Sequence, residues 1–183
     1  MPKARQFVDD FREEIVAPTI KDLGMHSPEA EDILVGIAAH ESMGFRHLRQ
    51  SPRGPAVSPY QMEPWVAADV VVRYLDTRPD LRDLLEAAAW PLTSSKVDWA
   101  NLDLRDLRSK LICDLRFATA VARLRLWMIP EALPSRGDLS DDLEYVTALG
   151  RYWKTYWNTE YGAGTVDEFV ASWRAHVGGI PGG

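Results

Sequence analysis

Residues 33–64 read ILVGIAAHESMGFRHLRQSPRGPAVSPYQMEP, and the rest of the chain is organised around this stretch. Ile33, Leu34, Ile37, Ala38 and Glu41 recur at helical spacing, so Glu41 continues the face of a helix that is meant for the core. A carboxyl group there is desolvated, which favours its neutral form and raises its pKa. An acid that stays protonated near neutral pH is what cleavage of a glycosidic bond needs. The same spacing also suits a Glu at a frayed helix end, bonded to nearby backbone. Beyond Glu41 the stretch turns into a loop: residues 51–59 hold Pro52, Gly54, Pro55 and Pro59.

Working outward, Ser27 followed by Pro28 is a helix start, with Ser as cap and Pro at the first helical position, so the Glu41 helix spans Pro28 to Glu41. Before it, residues 4–23 form a helix with Phe7, Val8, Phe11, Ile15 and Val16 on one side. Pro18 should kink or restart that helix, and Gly24 stops it. After the loop, helices are expected over 64–75 and 79–90, followed by an irregular polar stretch over 91–99. Leu104, Leu107, Leu111, Leu115, Ala118 and Ala122 then step by three or four. Pro130 ends this run, which predicts one long central helix over 101–128. A turn at 134–137 and capping residues at 138–142 lead into a helix from Asp141 to Trp157. Gly162-Ala163-Gly164 breaks it, and Thr165 with Glu168 three residues on forms a capping box for a last helix to His176. Residues 177–183 are expected to be a flexible tail. The pattern is all-α, with at most a small irregular or β-like excursion between 50 and 64. It makes one domain over 1–183, in which 1–24 is an N-terminal helical extension.

A chain of 183 residues is large enough for a sizeable core. Its net charge of −6 argues against an electrostatic nucleic-acid or anionic-membrane partner. The single Cys113 cannot form an intrachain disulfide. Phe7-Val8-Asp9-Asp10 follows Lys3 and Arg5 where a signal peptide would have its apolar segment. No run approaches the roughly 18 apolar residues that a membrane span needs. The chain is therefore expected to be made in a cytoplasm without a signal peptide and to insert into no membrane. His40, Glu41 and His47 do not make a zinc helix, because five residues separate Glu41 from His47 where His-Glu-x-x-His has two. No metal or cofactor is expected.

Glu41-Ser42, the nearby Phe45, Gly54-Pro55-Ala56 and Tyr60-Gln61-Met62 resemble the Glu-Ser, Gly-rich and Gln-Met elements of the soluble lytic transglycosylases. That family belongs to the lysozyme-like group that includes goose-type lysozymes. More narrowly, residues 33–42, Leu48-Arg49-Gln50, Gly54-Pro55-Ala56 and Gln61 to Pro64 resemble small phage-encoded relatives. The resemblance implies a lysozyme-like helical fold and an activity on peptidoglycan glycan strands. It implies that Glu41 is the single catalytic acid/base, with Ser42, Tyr60, Gln61, Met62 and Glu63 about the substrate groove. Two departures stand out. Val57-Ser58-Pro59 replaces the family's small residue and Gly before the Gln. Residues 153–159 only partly match the family's Ala-Tyr-Asn-Ala-Gly element: Asn158 takes the Asn position, Trp157 the Tyr position, and Tyr156 falls one residue early. Tyr156 and Asn158 complete the expected site. Other phage virion proteins are expected partners. An inactive lysozyme-like virion or assembly protein, and an inert wall-binding module, remain as alternatives.

Overall fold

The computed structural model describes residues 2–89, 102–139, 141–158 and 162–178. The expected irregular stretch over 91–99, and most of the expected tail, lie outside the described residues. The architecture is all-α, and among the described residues the β-type pairing amounts to two isolated antiparallel bridges, Arg49 with Val57 and Val57 with Met62.

Helix α1 covers residues 2–22, in the order Pro2–Asp10, a π-helical turn Phe11–Val16, and Ala17–Asp22. Pro18 does not interrupt it. In the widened turn Ala17 N–H reaches back five residues to Arg12 O, which gives room to a ring that would otherwise strike the preceding turn. Val8, Phe11, Val16, Ile20 and Leu23 are buried, so this first helix is built into the core. Helix α2 is Pro28–Glu41, with Ser27 Oγ accepting from Ala30 N. Helix α3 covers 64–74, as Pro64–Ala68 and a π-helical Asp69–Tyr74, and α4 is Pro79–Ala88.

The expected single helix over 101–128 is two. Asp114 leaves helical geometry (φ −123, ψ 98) and its side chain accepts from Phe117 N at 2.8 Å. It thereby ends α5, Leu104–Cys113, and caps α6, Leu115–Trp127. The two halves face different neighbours: α5 packs against α3, while α6 packs against α1, α2, α3 and α4. Leu107, Leu111, Ala118 and Ala122 are buried as their spacing requires, but Leu104 is exposed and Leu115 only partly covered. Helix α7 covers 142–158 as Asp142–Trp153 and a π-helical Lys154–Asn158. Helix α8 covers 166–177 behind the expected Thr165–Glu168 capping box.

The central helix is α2. Ile33, Leu34, Val35, Ile37, Ala38 and Ala39 are each 0% exposed, so it is covered on all sides and not along one stripe. It contacts α1, α6, α7 and α8. Its N-terminal half is held from outside: Arg12 pairs with Asp32 at 2.9 Å, and Tyr145 O–H donates to the same carboxylate at 3.0 Å. Gly36 sets the approach of α8, because a Cβ there would lie 2.8 Å from both Phe169 Cζ and Trp173 Cζ3. Gly36→Ala should therefore destabilise the fold by about 1–3 kcal/mol through overpacking. An unchanged denaturant midpoint would mean that α8 does not close on α2.

Candidate functional site

Seven consecutive buried residues bring α2 to the surface only at its end, where Glu41 is its last residue. The chain then turns sharply. Ser42 Oγ donates to Ala38 O at 2.6 Å and accepts from Phe45 N at 2.8 Å, which closes the helix and pins the turn. Met43, Gly44 and Phe45 all have positive φ (54, 72 and 62). Gly44 also passes close to His176, whose Cε1 would lie 2.5 Å from an added Cβ. Every other non-glycine residue of positive φ among the described residues also falls in this segment: Arg53, Ser58 and Gln61. Strained backbone of this kind tends to collect around binding and catalytic sites.

The segment walls an open groove of about 500 Å³, lined by Glu41, His47, Gln61, Glu63, Arg125 and Asn158 among others. Glu41 Oε1 accepts from Trp153 Nε1 at 2.9 Å. The indole cannot swing away, because it is fully buried, stacked on Phe169 (5.4 Å, 28°) and met edge-on by His40 at 4.5 Å. Burial pushes the Glu41 carboxyl up to about 7, while the Trp153 N–H and the nearby Arg125 charge pull the other way. Arg125 lies 4.1 Å over the Trp157 ring and donates to Trp157 O at 3.0 Å. Burial lowers its pKa, and the charges of Glu41 and Glu63 counter that. The groove thus holds a carboxyl poised to give or take a proton near neutrality, a fixed cation, and the carboxamides of Gln50, Gln61 and Asn158.

Of the expected site residues, Glu41, Gln61, Met62, Glu63 and Asn158 line the groove. Gln61 is anchored by its amide nitrogen, which donates to Ser58 O at 2.8 Å and His47 O at 3.2 Å. Asn158 Oδ1 accepts from Lys154 Nζ at 2.9 Å. Three expectations are corrected. Tyr60 is fully buried, with its hydroxyl 3.0 Å from Thr119 Oγ1, so it is core and not groove wall. Ser42 is buried and bonds backbone, so it caps the turn and is not part of the groove lining. Tyr156 packs on Tyr152 at 4.7 Å, outside the groove lining, because one residue of offset rotates it about 100° around α7. Trp157 takes the groove position instead.

Trp153 and Arg125 join the site without having been expected there. Trp153 and Trp157 stand four apart and so share a helix face, a signal the sequence carries. Nothing in the sequence marks Arg125. At Ser58 the φ of 70 is the left-handed conformation that glycine adopts without strain. The backbone geometry of a glycine is thus kept where the sequence has serine. No family model matches the chain, and neither the curated proteins nor the solved structures contain a match.

Two outcomes follow from this geometry. Ser58→Gly should stabilise the fold by about 1 kcal/mol through relief of left-handed strain. A loss on denaturant titration would show that the serine hydroxyl, which accepts from Tyr60 N at 3.3 Å, matters more. The second outcome concerns pH. The folded Glu41 carboxyl is raised from 4.5 to about 7, so between these values the folded chain holds a proton that the unfolded chain releases. This contribution to stability is complete below the unfolded value and is lost as pH rises through about 7. Compared with Glu41→Gln, the wild type should lose up to about 3 kcal/mol between acid and mildly alkaline pH. Parallel stability profiles for the two proteins would contradict a shielded carboxyl.

Proposed function

We propose that this chain is a peptidoglycan-cleaving enzyme of lysozyme-like fold, a phage-type lytic transglycosylase that acts on the MurNAc–GlcNAc β-1,4 bond. The observation that carries this is the Glu41 carboxyl, raised to about 7 and held by Trp153 at the edge of an open groove. A general acid is most effective when its pKa lies near the working pH. The carboxamides of Gln50, Gln61 and Asn158 suit a neutral, hydroxyl- and acetamido-bearing ligand such as a glycan strand.

In this mechanism Trp153 fixes Oε1 of Glu41, and the proton on the carboxyl passes to the glycosidic oxygen as the bond to the anomeric carbon breaks. The carboxylate then takes the proton of the muramyl 6-hydroxyl as that oxygen attacks the anomeric carbon and closes a 1,6-anhydro ring. Glu41 ends as it began, protonated, and no water is consumed. Arg125 keeps the ionised intermediate state of Glu41 accessible in a buried setting. The enzyme would act on glycan strands from within a virion, beside other virion proteins, without a metal or cofactor.

Purified peptidoglycan incubated with the protein should yield 1,6-anhydromuropeptides by mass spectrometry. Glu41→Gln keeps the side-chain shape and removes the transferable proton, so turbidity loss should slow by about 10²–10⁴ while the thermal midpoint holds. The rate constant kcat/KM should fall as pH rises above about 7, where Glu41 loses its proton. A folded Gln variant with wild-type lytic rate would refute the mechanism. Hydrated in place of anhydro products would make the enzyme a hydrolase. A folded wild type that cuts no peptidoglycan would leave a lysozyme-like virion or assembly protein.

A further inference from the structure

Arg123 and Arg125 lie two residues apart on α6, about 200° around the helix, and so face opposite ways. Arg125 enters the Glu41 groove, whereas Arg123 lines a separate cavity of about 690 Å³ at the other end of α2. That cavity is formed by the turn at residues 24–27, the end of α6 and the segment that follows it. Arg123 is only 6% exposed. Its Nε donates to Met25 O at 3.0 Å, and its guanidinium carbon lies 5.1 Å from the Trp127 ring centre. Among the described residues no carboxylate pairs with it. Burial lowers its pKa, which reflects how poorly the site solvates the charge.

A desolvated cation without a counter-ion is unfavourable, and a guanidinium fork matches a carboxylate in two parallel hydrogen bonds. The remaining charged groups at the cavity narrow the choice of anion. His26 is engaged with Glu31 at 2.6 Å, whereas Glu29 and Glu131 add negative charge to the lining. The two lining carboxylates repel a dianion such as phosphate more than a monoanion, so a single carboxylate seated on the Arg123 fork is the better match. Trp127, half exposed, together with Ile129 and Leu133, supplies apolar surface beside the cation.

We propose that this cavity is a second binding site, for a monoanionic carboxylate that carries an apolar or aromatic body. The carboxylate lies on the Arg123 fork and the body against Trp127 and Leu133. The site stands on its own geometry and does not depend on the activity proposed for Glu41.

Isothermal titration calorimetry of the full chain tests this with N-acetylphenylalanine, its neutral amide and inorganic phosphate as probes. N-acetylphenylalanine should bind saturably with Kd below about 1 mM, and the amide and phosphate at least about tenfold more weakly. Arg123→Gln and Trp127→Ala should each weaken binding of the acid, the first by about tenfold or more. Glu41→Gln should leave it unchanged, which separates this cavity from the groove. Equal affinity for acid and amide overturns the proposal, as does a wild-type Kd in Arg123→Gln. So does the absence of saturable binding of the acid up to about 10 mM. Should Arg123→Gln fail to fold, Leu133→Asp places a further carboxylate in the cavity. It must then abolish binding, and an unchanged Kd in that variant overturns the proposal equally.

Discussion

A helix with every side covered has only its ends to offer to a ligand. From Ile33 to Ala39 no residue of α2 reaches solvent, because α1, α6, α7 and α8 close around it. This constraint places both cavities. One opens where α2 emerges at Glu41, the other where it begins at Ser27. The small residues Gly36, Ala38 and Ala39 permit such close enclosure. The ion pair of Asp32 with Arg12 and its hydrogen bond from Tyr145 hold the N-terminal half of α2 in register with α1 and α7. A shift of α2 along its own axis would cost those contacts and carry Glu41 away from Trp153.

At the C-terminal end the chemistry rests on opposed effects, of which burial is the largest. Burial favours the neutral form of Glu41, whereas a donor and a nearby cation favour the ionised one. The Trp153 N–H and Arg125 offset part of the desolvation and leave the group near neutrality. Each partner is itself fixed by packing: Trp153 between His40 and Phe169, Arg125 over Trp157. Rigid support of this kind is what an acid/base group needs, since a change of about one ångström in its setting alters both reach and pKa.

The loop that forms the groove wall achieves its shape by a different route. Residues 42–63 have almost no regular structure, yet Ala56, Val57, Tyr60 and Met62 are buried, and Tyr60 reaches Thr119 on α6. These anchors stabilise a backbone that repeatedly visits left-handed conformations. The wall is therefore stiff because its apolar side chains point inward, which frees Gln61 and Glu63 to face the groove.

The helical periodicity, the Ser27-Pro28 start, the Thr165–Glu168 capping box and the breaks at Gly24 and residues 162–164 are all legible in the amino-acid sequence. Each rests on interactions within about four residues of chain. The shielded setting of Glu41 is legible for the same reason: its spacing from Leu34, Ile37 and Ala38 puts it on a core-facing helix. The division of the 101–128 run at Asp114 is not, because an unbroken leucine spacing hides a residue whose side chain caps a new helix. Tyr60 and Tyr156 depart from their expected places since burial and facing depend on which helix lies across from them. The tertiary structure alone decides that α2 is the central helix, that Trp153 meets Glu41 across 112 residues of chain, and that Arg123 and Arg125 serve two different cavities. Sequence specifies what each segment can form by itself. Desolvation, and with it the chemistry of a buried charge, exists only once distant segments have closed around the group.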